Sequence, residues 1–366
     1  WMFGIKDGFD VVIANPPYID SELMVNLGQK ELREAIQRTY TTTKGNWDIY
    51  IAFFESGLRV MDKNGILVFI TPDKWISKPF GATLRKSTIN NIFSIARSGR
   101  NIFEGSNVDS IISFFSKIEC QELKIIDYDQ KIFILKKQID KKVLKSPFAF
   151  DYLFSDYLEF LLKIDTTPYR ISDLANCENA CATSDAYKLK SLIKDSNGFF
   201  NKNDQLKIIN TGTIDKYCSK WGIHEMTYLG NKYLCPIVDR KKFFHLFKNS
   251  YAKKSIQPKI IIKGLNLLDT CLDSDGNIIP GKSTLIIADS NIKKIKFLMS
   301  IINSKLAFFY LRERYPASSY NLGTNFTKEM INNLPLPLLN EDDQKPFIDL
   351  VDKILAITKD EDYLQN

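Results

Sequence analysis

Residues 9–18 read FDVVIANPPY, a short apolar run that stops at an asparagine, two prolines and a tyrosine. Five of its first six residues are apolar and several are β-branched, which is typical of an interior strand of a parallel sheet. The two prolines remove two backbone donors and keep Asn15 out of the helical region, so the strand must end there in a stiff, extended corner. In open α/β sheets, ligands bind at such strand ends.

Three further apolar segments predict strands of the same sheet: GILVFIT at 65–71, NIFSIAR at 91–97 and SIISFF at 110–115. Between them, the sequence predicts an amphipathic helix that stops at Asn64-Gly65 and a second helix over Gly81 to Ser87. This alternation of strands and helices indicates a parallel, doubly wound α/β sheet. The loop before SIISFF is too short for a crossover helix, so that strand is expected to be antiparallel.

The pattern changes near Gln121. Residues 122–137 predict one or two further strands, and residues 138–165 are polar, aromatic and typical of a helical connector. Beyond Ile171 the pattern becomes irregular, with short strands in LKIINTG and PKIIIKG and a helix from Ile292 to about Arg314. We therefore divide the chain into the back half of a doubly wound α/β domain (1–140), a connector (141–165) and an α+β domain (166–366).

Composition permits an anionic partner. Hydrophobic residues make up 44% of the 366 residues, enough for a core in each domain. Lys and Arg outnumber Asp and Glu by 50 to 43, a mild excess that permits an anionic partner without requiring one. Between Asp239 and Lys263, eight cations alternate with aromatic residues. That segment is either a phosphate-facing patch or a solvated helix face.

The sequence disfavours a metal site, a signal peptide, a membrane-spanning segment and a cofactor loop. The six cysteines form no CxxC pair and only two histidines are present, so no metal site is expected. Because there is no signal peptide and no apolar stretch of about 20 residues, we expect a soluble, cytoplasmic protein without a membrane partner. Residues 1–140 contain no Gly-rich strand-to-helix turn, so either the cofactor half of the sheet is missing or there is no cofactor.

The Asn-Pro-Pro-Tyr corner suits methylation of a planar amine. The exocyclic nitrogen of adenine is a poor nucleophile because its lone pair conjugates with the ring. The Asn15 side-chain oxygen and the Pro16 carbonyl could accept both amino hydrogens and draw that nitrogen toward tetrahedral geometry. Tyr18 could stack on the target ring, a contact worth about 1 to 3 kcal/mol. A base in a duplex reaches such a pocket only by flipping out.

Three segments resemble the later catalytic motifs of gamma-class adenine-N6 DNA methyltransferases: FDVVIANPPYI, NWDIYIAFFESGLRVMDKNGILVFITPDKWI and NIFEGSNVDSIISFF. Segments beyond residue 166, including ISDLANCENACATSDAYK and LRERYPASSYNLGTNFTKEMINNLPLP, resemble the C-terminal target-recognition domain of the fused type IIG restriction-modification enzymes. The resemblance covers nearly the whole chain. It implies an enzyme that flips an adenine out of duplex DNA and transfers a methyl group to it directly from S-adenosylmethionine.

The resemblance also implies site residues. Asn15, Pro16, Pro17 and Tyr18 would hold the extruded adenine, and Phe103 would pack against the same base. Alternatively, Phe103 is a core residue that caps the sheet. Asp48 and Tyr50 also fit the family pattern, but a helix N-cap and a packing ring explain them equally well.

Exposed polar and basic loops of the recognition domain are expected to contact duplex DNA. The candidates are Thr183, Ser184, Lys263, Asn266, Arg312, Arg314, Ser319 and Tyr320. Family members carry a cofactor loop and often a nuclease domain upstream of the first strand quoted above. The chain therefore resembles a fragment that lacks an N-terminal part, binds S-adenosylmethionine poorly and is expected to be inactive alone.

Two other functions stay open. Asn-Pro-Pro-Tyr also occurs in enzymes that methylate a glutamine amide on translation factors, although those lack a C-terminal module of about 200 residues with basic loops. The second is a DNA-binding specificity module that performs no catalysis in this form.

Overall fold

The computed structural model describes residues 7–98, 109–129, 131–146, 149–320 and 323–358. The chain forms two compact units, Trp1–Leu158 (the N-terminal unit) and Glu159–Asn366 (the C-terminal unit). Their boundary falls inside the 141–165 segment that the sequence assigns to a connector. No helix in the described ranges is long and apolar enough to cross a bilayer.

The N-terminal unit is built on one mixed six-stranded sheet. Its elements are β1 (Phe9–Ala14), α1 (Ser21–Asn26), α2 (Lys30–Thr39), α3 (Tyr50–Val60), β2 (Met61–Pro72), α4 (Ala82–Thr88), β3 (Ile92–Arg97), β4 (Ser110–Ser116), β5 (Glu122–Asp129) and β6 (Ile132–Asp140). The strand order is β1-β2-β4-β3-β5-β6. The α/β class and all four predicted strands are confirmed, and β4 is antiparallel to both its neighbours, as expected.

The predicted interior position of β1 is wrong for the described sheet. β1 pairs, in parallel, with β2 alone. Val11 is 57% and Ile13 is 75% exposed. The apolar run identified a strand correctly, but the burial of a strand depends on what covers its faces and its edge, and composition does not report that.

The predicted helix stop at Asn64-Gly65 is also wrong. α3 ends at Val60 and β2 begins at the next residue. The pairing of β1 with β2 breaks its register at this point, and Asp62 Oδ1 accepts a hydrogen bond from the Asn64 amide at 2.8 Å. The Asn-Gly pair therefore forms a bulge inside a strand rather than the end of a helix. The segment between β1 and α3, for which we predicted no helix, contains α1 and α2.

An aromatic cluster fills the core of the N-terminal unit. Phe54 of α3 packs against Phe69 and Trp75 with ring centroids 5.1 Å away in each case, and against Phe115 of β4 at 5.6 Å. All four rings are buried. The indole of Trp75 donates a hydrogen bond to Thr71 Oγ1 at 3.0 Å, so the residues after β2 are anchored to the core.

α5 (Leu158–Asp165) begins at the boundary between the units, and two 3₁₀ turns are the other helical parts of the predicted connector among its described residues. The strands of the C-terminal unit are β7 (Tyr169–Arg170), β8 (Cys177–Asn179), β9 (Lys194–Asp195), β10 (Gln205–Ile209), β11 (Ile214–Asp215), β12 (Cys218–Ser219), β13 (Met226–Tyr228), β14 (Asn231–Tyr233), β15 (Pro236–Asp239), β16 (Lys259–Lys263), β17 (Thr270–Asp273), β18 (Ile278–Pro280), β19 (Thr284–Ala288), β20 (Ser319–Tyr320), β21 (Gly323–Thr324) and β22 (Pro335–Leu336). Its helices are α6 (Ile171–Leu174), α7 (Thr183–Lys190), α8 (Arg240–Leu246), α9 (Ser250–Ser255), α10 (Ile292–Ile302), α11 (Lys305–Arg314), α12 (Lys328–Asn332) and α13 (Glu341–Ile357).

Two four-stranded sheets, β18-β10-β15-β9 and β17-β16-β19-β8, carry the core of the C-terminal unit. The single helix predicted from Ile292 to Arg314 is two helices, α10 and α11. The break follows from Ser304, whose hydroxyl caps the second helix by accepting a hydrogen bond from the Ala307 amide at 3.0 Å.

Two lysines of the C-terminal unit are held inside it. Lys259 of β16 is fully buried and pairs with Asp273, whose carboxylate also accepts from the Asn277 and Ile278 amides. The Lys207 ammonium lies 4.2 Å from the ring centroid of Trp221. Lys259 is therefore a structural group, and half-buried Lys207 is held against an aromatic ring.

Candidate functional site

The chain turns sharply after β1 at residues 15–18, which we call the corner. Asn15 and Pro17 are exposed, Pro16 is buried and Tyr18 is half-buried. The Tyr18 hydroxyl donates a hydrogen bond to Asn15 Oδ1 at 2.7 Å. This contact fixes the orientation of the Asn15 amide, and an amide oxygen has a second lone pair for another donor.

The residues that follow the corner are held by the segment just before α3. The Ile19 amide donates to Asp48 Oδ1 at 3.0 Å, and the Ile49 amide donates to the Ile19 carbonyl at 2.9 Å. The Tyr18 ring meets the buried Tyr50 ring edge-on, with centroids 6.3 Å apart. These contacts restrain the corner from the side of the core.

Asp48 is a buried carboxyl with a perturbed pKa. Burial raises the pKa to about 6, against the opposing effect of hydrogen bonds from the backbone amides of Ile19 and Tyr50 and of the Lys74 charge. Ile49, not Asp48, occupies the N-cap position of α3, but the Asp48 carboxylate accepts a hydrogen bond from the amide of Tyr50, the first residue of that helix. Burial, and then the charge of Asp48, raises the pKa of Tyr18, so its hydroxyl stays a donor at neutral pH.

A second acidic group lies at the same edge of the sheet. β1 and β2 are parallel, so Asp73, directly after β2, follows the same ends of the strands as the corner. The Tyr18 hydroxyl lies 3.5 Å from the Ile70 carbonyl of β2. Burial, followed by the charges of Asp109 and Asp151, raises the pKa of Asp73 to about 6. From the sequence, Asp73 was considered only as part of a nuclease motif, Pro72-Asp73-Lys74, which was rejected, although an acidic residue directly after an apolar strand was a usable signal.

Phe103 lies outside the described residues, so its role stays a prediction. The side chain of Tyr320 lies outside them as well.

Part of the predicted DNA-contacting set comes together in the C-terminal unit. A groove of about 750 Å³ is lined by Thr183 at the start of α7, Gly264 after β16 and Asn325 after β21, among others. The Asn266 amide donates to the Thr324 carbonyl at 2.8 Å, so exposed Asn266 lies beside the β20–β21 hairpin. Exposed Ser319 belongs to the same hairpin, and Ser184 is exposed next to Thr183.

Three predicted cations differ in how far they are engaged by the protein itself. Lys263 is half-buried and its ammonium lies 3.7 Å from Asp269. Arg314 Nε lies 3.1 Å from an oxygen of Asp165. A phosphate would therefore have to compete with a carboxylate at both positions. Arg312, whose side chain is 52% exposed, also has a carboxylate nearby, that of its neighbour Glu313 at 3.5 Å.

The basic segment between Asp239 and Lys263 does not form one patch. Lys259 is buried in its ion pair, Lys254 pairs with Glu178, and Arg240 donates to Asn277 Oδ1 at 2.7 Å. The alternation of cations and aromatic rings reflects helices α8 and α9 packing their aromatic faces inward. The remaining exposed cations are Lys241, Lys242, Lys248 and Lys253.

One similarity to known proteins lies within the N-terminal unit. Residues 1–103, which include β1 and the corner, match the profile of the family described as Eco57I restriction-modification methylase. Residues 1–103 are therefore similar in sequence to the Eco57I restriction-modification methylases. The chain is 26% identical over 206 residues to the type II restriction enzyme and methyltransferase RM.Eco57I of Escherichia coli, a match that covers 52% of this chain and 20% of that protein.

Two other similarities extend over both units. The type II methyltransferase M.HincII of Haemophilus influenzae is 23% identical over 90% of this chain and 74% of its own length. The type IIL restriction-modification enzyme MmeI, solved in complex with DNA, superposes with a TM-score of 0.53 at 13% identity, over 97% of this chain and 50% of that chain. The last match shows a shared fold. The chain spans about a fifth of RM.Eco57I and half of MmeI.

Proposed function

We propose that this chain is part of a site-specific DNA methyltransferase that acts on adenine N6, with the corner binding the extruded base and the C-terminal unit binding duplex DNA. The observation that carries the proposal is the hydrogen bond from Tyr18 to Asn15 Oδ1 at a strand end that Asp48 restrains. The amino group of adenine is a poor nucleophile because its lone pair is conjugated with the ring. A hydrogen-bond acceptor that is already oriented when the base arrives favours its reaction. The similarity to restriction-modification methylases supports the same function.

In this function, Asn15 and Pro16 act on the amino group of the target. Asn15 Oδ1 and the Pro16 carbonyl accept its two hydrogens, and the nitrogen lone pair turns out of conjugation with the ring. Tyr18 stacks on the base while its hydroxyl keeps the Asn15 amide in place. The amino proton is released after the methyl group has been transferred.

S-adenosylmethionine is the methyl donor that this function requires in the intact enzyme. Within the described residues of the N-terminal unit, no strand leads through a Gly-rich turn into a helix, which is the feature that would cradle the cofactor. The described residues therefore fit the methyl acceptor and not the donor. Because the chain spans about a fifth of RM.Eco57I, we place the cofactor loop, with or without a nuclease domain, in a preceding part of the same polypeptide.

The test is Asn15→Ala in the intact enzyme, measured as transfer of labelled methyl groups to duplex DNA. We expect a loss of transfer of about 100-fold or more, because a positioned polar group at a reacting centre is worth that much. DNA affinity should stay within about twofold of the wild type, since the change leaves the C-terminal unit intact. Asn26→Ala on exposed α1 is the matched control and should transfer normally.

Each alternative function has its own signature in that assay. Transfer that survives Asn15→Ala would overturn the role of the corner. A wild-type enzyme that binds DNA but transfers no methyl group would indicate a specificity module. Label that appears on a glutamine-containing protein substrate and not on DNA would indicate an amide methyltransferase.

A further inference from the structure

A second cavity in the C-terminal unit is separate from the groove described above. It measures about 310 Å³, and we call it the cationic pocket. Its lining includes Lys216, Leu267, Asp269, Lys305, Phe308 and Arg312. Arg312 is the residue of this lining that the sequence predicts as a DNA contact.

One wall of the cationic pocket is a face of α11. Lys305, Phe308, Phe309 and Arg312 stand at positions i, i+3, i+4 and i+7, so they share one side of the helix. The two cations are about 10 Å apart along the axis, as expected from a rise of about 1.5 Å per residue. The Arg312 guanidinium lies 5.9 Å from the ring centroid of Phe308. The wall therefore alternates positive charge with aromatic surface.

The opposite wall comes from two other segments. Lys216 lies between β11 and β12, and its ammonium donates to the Asn303 carbonyl at 3.2 Å. Leu267 is 52% exposed and Asp269 is buried. The Asp269 carboxylate lies 3.7 Å from the Lys263 ammonium, and the charge of Lys216 also acts on it.

The lining of the pocket therefore carries more positive than negative charge, with Lys216, Lys305 and Arg312 against Asp269. Among the described residues, Lys216 and Lys305 form no ion pair. Arg312 pairs with its chain neighbour Glu313 at 3.5 Å, and such exposed pairs are weak. Three cations from two parts of the unit, α11 and the turn between β11 and β12, line one cavity.

We propose that the cationic pocket binds the phosphodiester backbone of duplex DNA. This inference rests on the proposed function, in which the C-terminal unit binds DNA. Lys216, Lys305 and Arg312 contact phosphate oxygens, while Leu267 and Phe308 lie against the apolar faces of the sugars. Phosphate contacts of this kind fix the register of a protein on the duplex. Asn266, a candidate for base contacts, precedes Leu267 and would be positioned by it.

The experiment measures the affinity of the 366-residue chain for random-sequence duplex DNA over a series of salt concentrations. Each phosphate contact contributes about 0.9 to the slope of log K against log salt. We expect Lys216→Ala and Lys305→Ala each to reduce that slope by about 0.9, and the double variant to reduce it by about 1.8. Lys345→Ala, which removes an exposed lysine of α13 outside the pocket, should leave the slope unchanged.

A charge-conserving variant separates binding from packing. Lys305→Arg keeps the cation and should retain the wild-type slope. The pocket assignment would be overturned if Lys305→Arg reduces the slope of log K against log salt, or if both alanine variants keep the wild-type slope. The proposed DNA binding would stand in either case. Failure of the wild-type chain to bind duplex DNA at any salt concentration would instead overturn the proposed DNA binding, and the pocket assignment with it.

Discussion

Strands β1 and β16 are alike in sequence and opposite in surroundings. Both are short apolar runs, and each leads directly into a candidate site, the corner in one unit and Gly264–Asn266 in the other. β16 lies between β17 and β19 and its three isoleucines are fully buried. β1 has one described partner strand, and Ile13 is 75% exposed. Local composition thus specifies a strand, whereas its place in the sheet decides how much stability it contributes.

The most severe disruption is expected at the buried end of β16. Lys259→Ala would leave the Asp273 carboxylate buried without its cation, at a cost of about 3 to 5 kcal/mol in the free energy of unfolding. Urea unfolding followed by circular dichroism measures this change. Lys232→Ala removes a lysine whose ion pair with Glu225 is exposed, and it should leave the transition unchanged. Equal midpoints for the two variants would contradict the buried pair.

The comparison can be tested directly with matched isoleucines. Ile261→Ala in β16 should cost about 2 to 5 kcal/mol in the free energy of unfolding, because it opens a cavity in a packed core. Ile13→Ala in β1 should change it by about 0.5 kcal/mol or less, because the side chain is mostly exposed. Similar losses at the two positions would mean that β1 is covered in solution.

A smaller effect is expected beside the corner, where Asp48 makes the free energy of unfolding depend on pH. Its folded pKa of about 6 lies above the ordinary value of 3.8. Between these values the folded state binds more protons than the unfolded state, so this group's contribution to stability falls as pH rises from about 4 to 6. Asp48→Asn keeps an acceptor for the Ile19 amide and removes the titration.

The stability of Asp48→Asn relative to the wild type should therefore rise through that interval and level off above it. Urea unfolding of both proteins at several pH values measures the difference. A difference that stays constant from pH 4 to 7 would show that Asp48 is not held in the buried environment described here.

The sequence predicted the elements of the N-terminal unit better than their limits and neighbours. β1 to β4 were found because apolar runs between turn residues are a local signal, and the antiparallel direction of β4 followed from a short loop. The bulge at Asn64-Gly65 was missed because an Asn-Gly pair is found both at the ends of helices and in turns of β-strands. Burial at β1 was predicted wrongly because it depends on strand pairing, which is not a local property.

In the candidate sites, too, features of contiguous residues could be predicted, whereas contacts between distant residues could not. Asn15 to Tyr18 are contiguous in sequence, so a motif and its chemistry could be recognised without a fold. The restraint from Asp48 and the convergence of Lys216 with Lys305 join residues far apart in the chain. Arg314 was predicted as a DNA contact because it is a basic residue in an expected exposed loop. Its ion pair with Asp165 could not be read from the sequence.

The placement of Lys207 over Trp221 has a spectroscopic consequence. Residues 159–366 contain a single tryptophan, Trp221, and the ammonium that lies 4.2 Å from its ring makes the indole's excited state sensitive to local charge. In a protein whose other three tryptophans are replaced by phenylalanine, the emission wavelength would report on the C-terminal unit alone. Unfolding of that unit could then be followed by tryptophan fluorescence, while the rest of the polypeptide contributes no tryptophan emission.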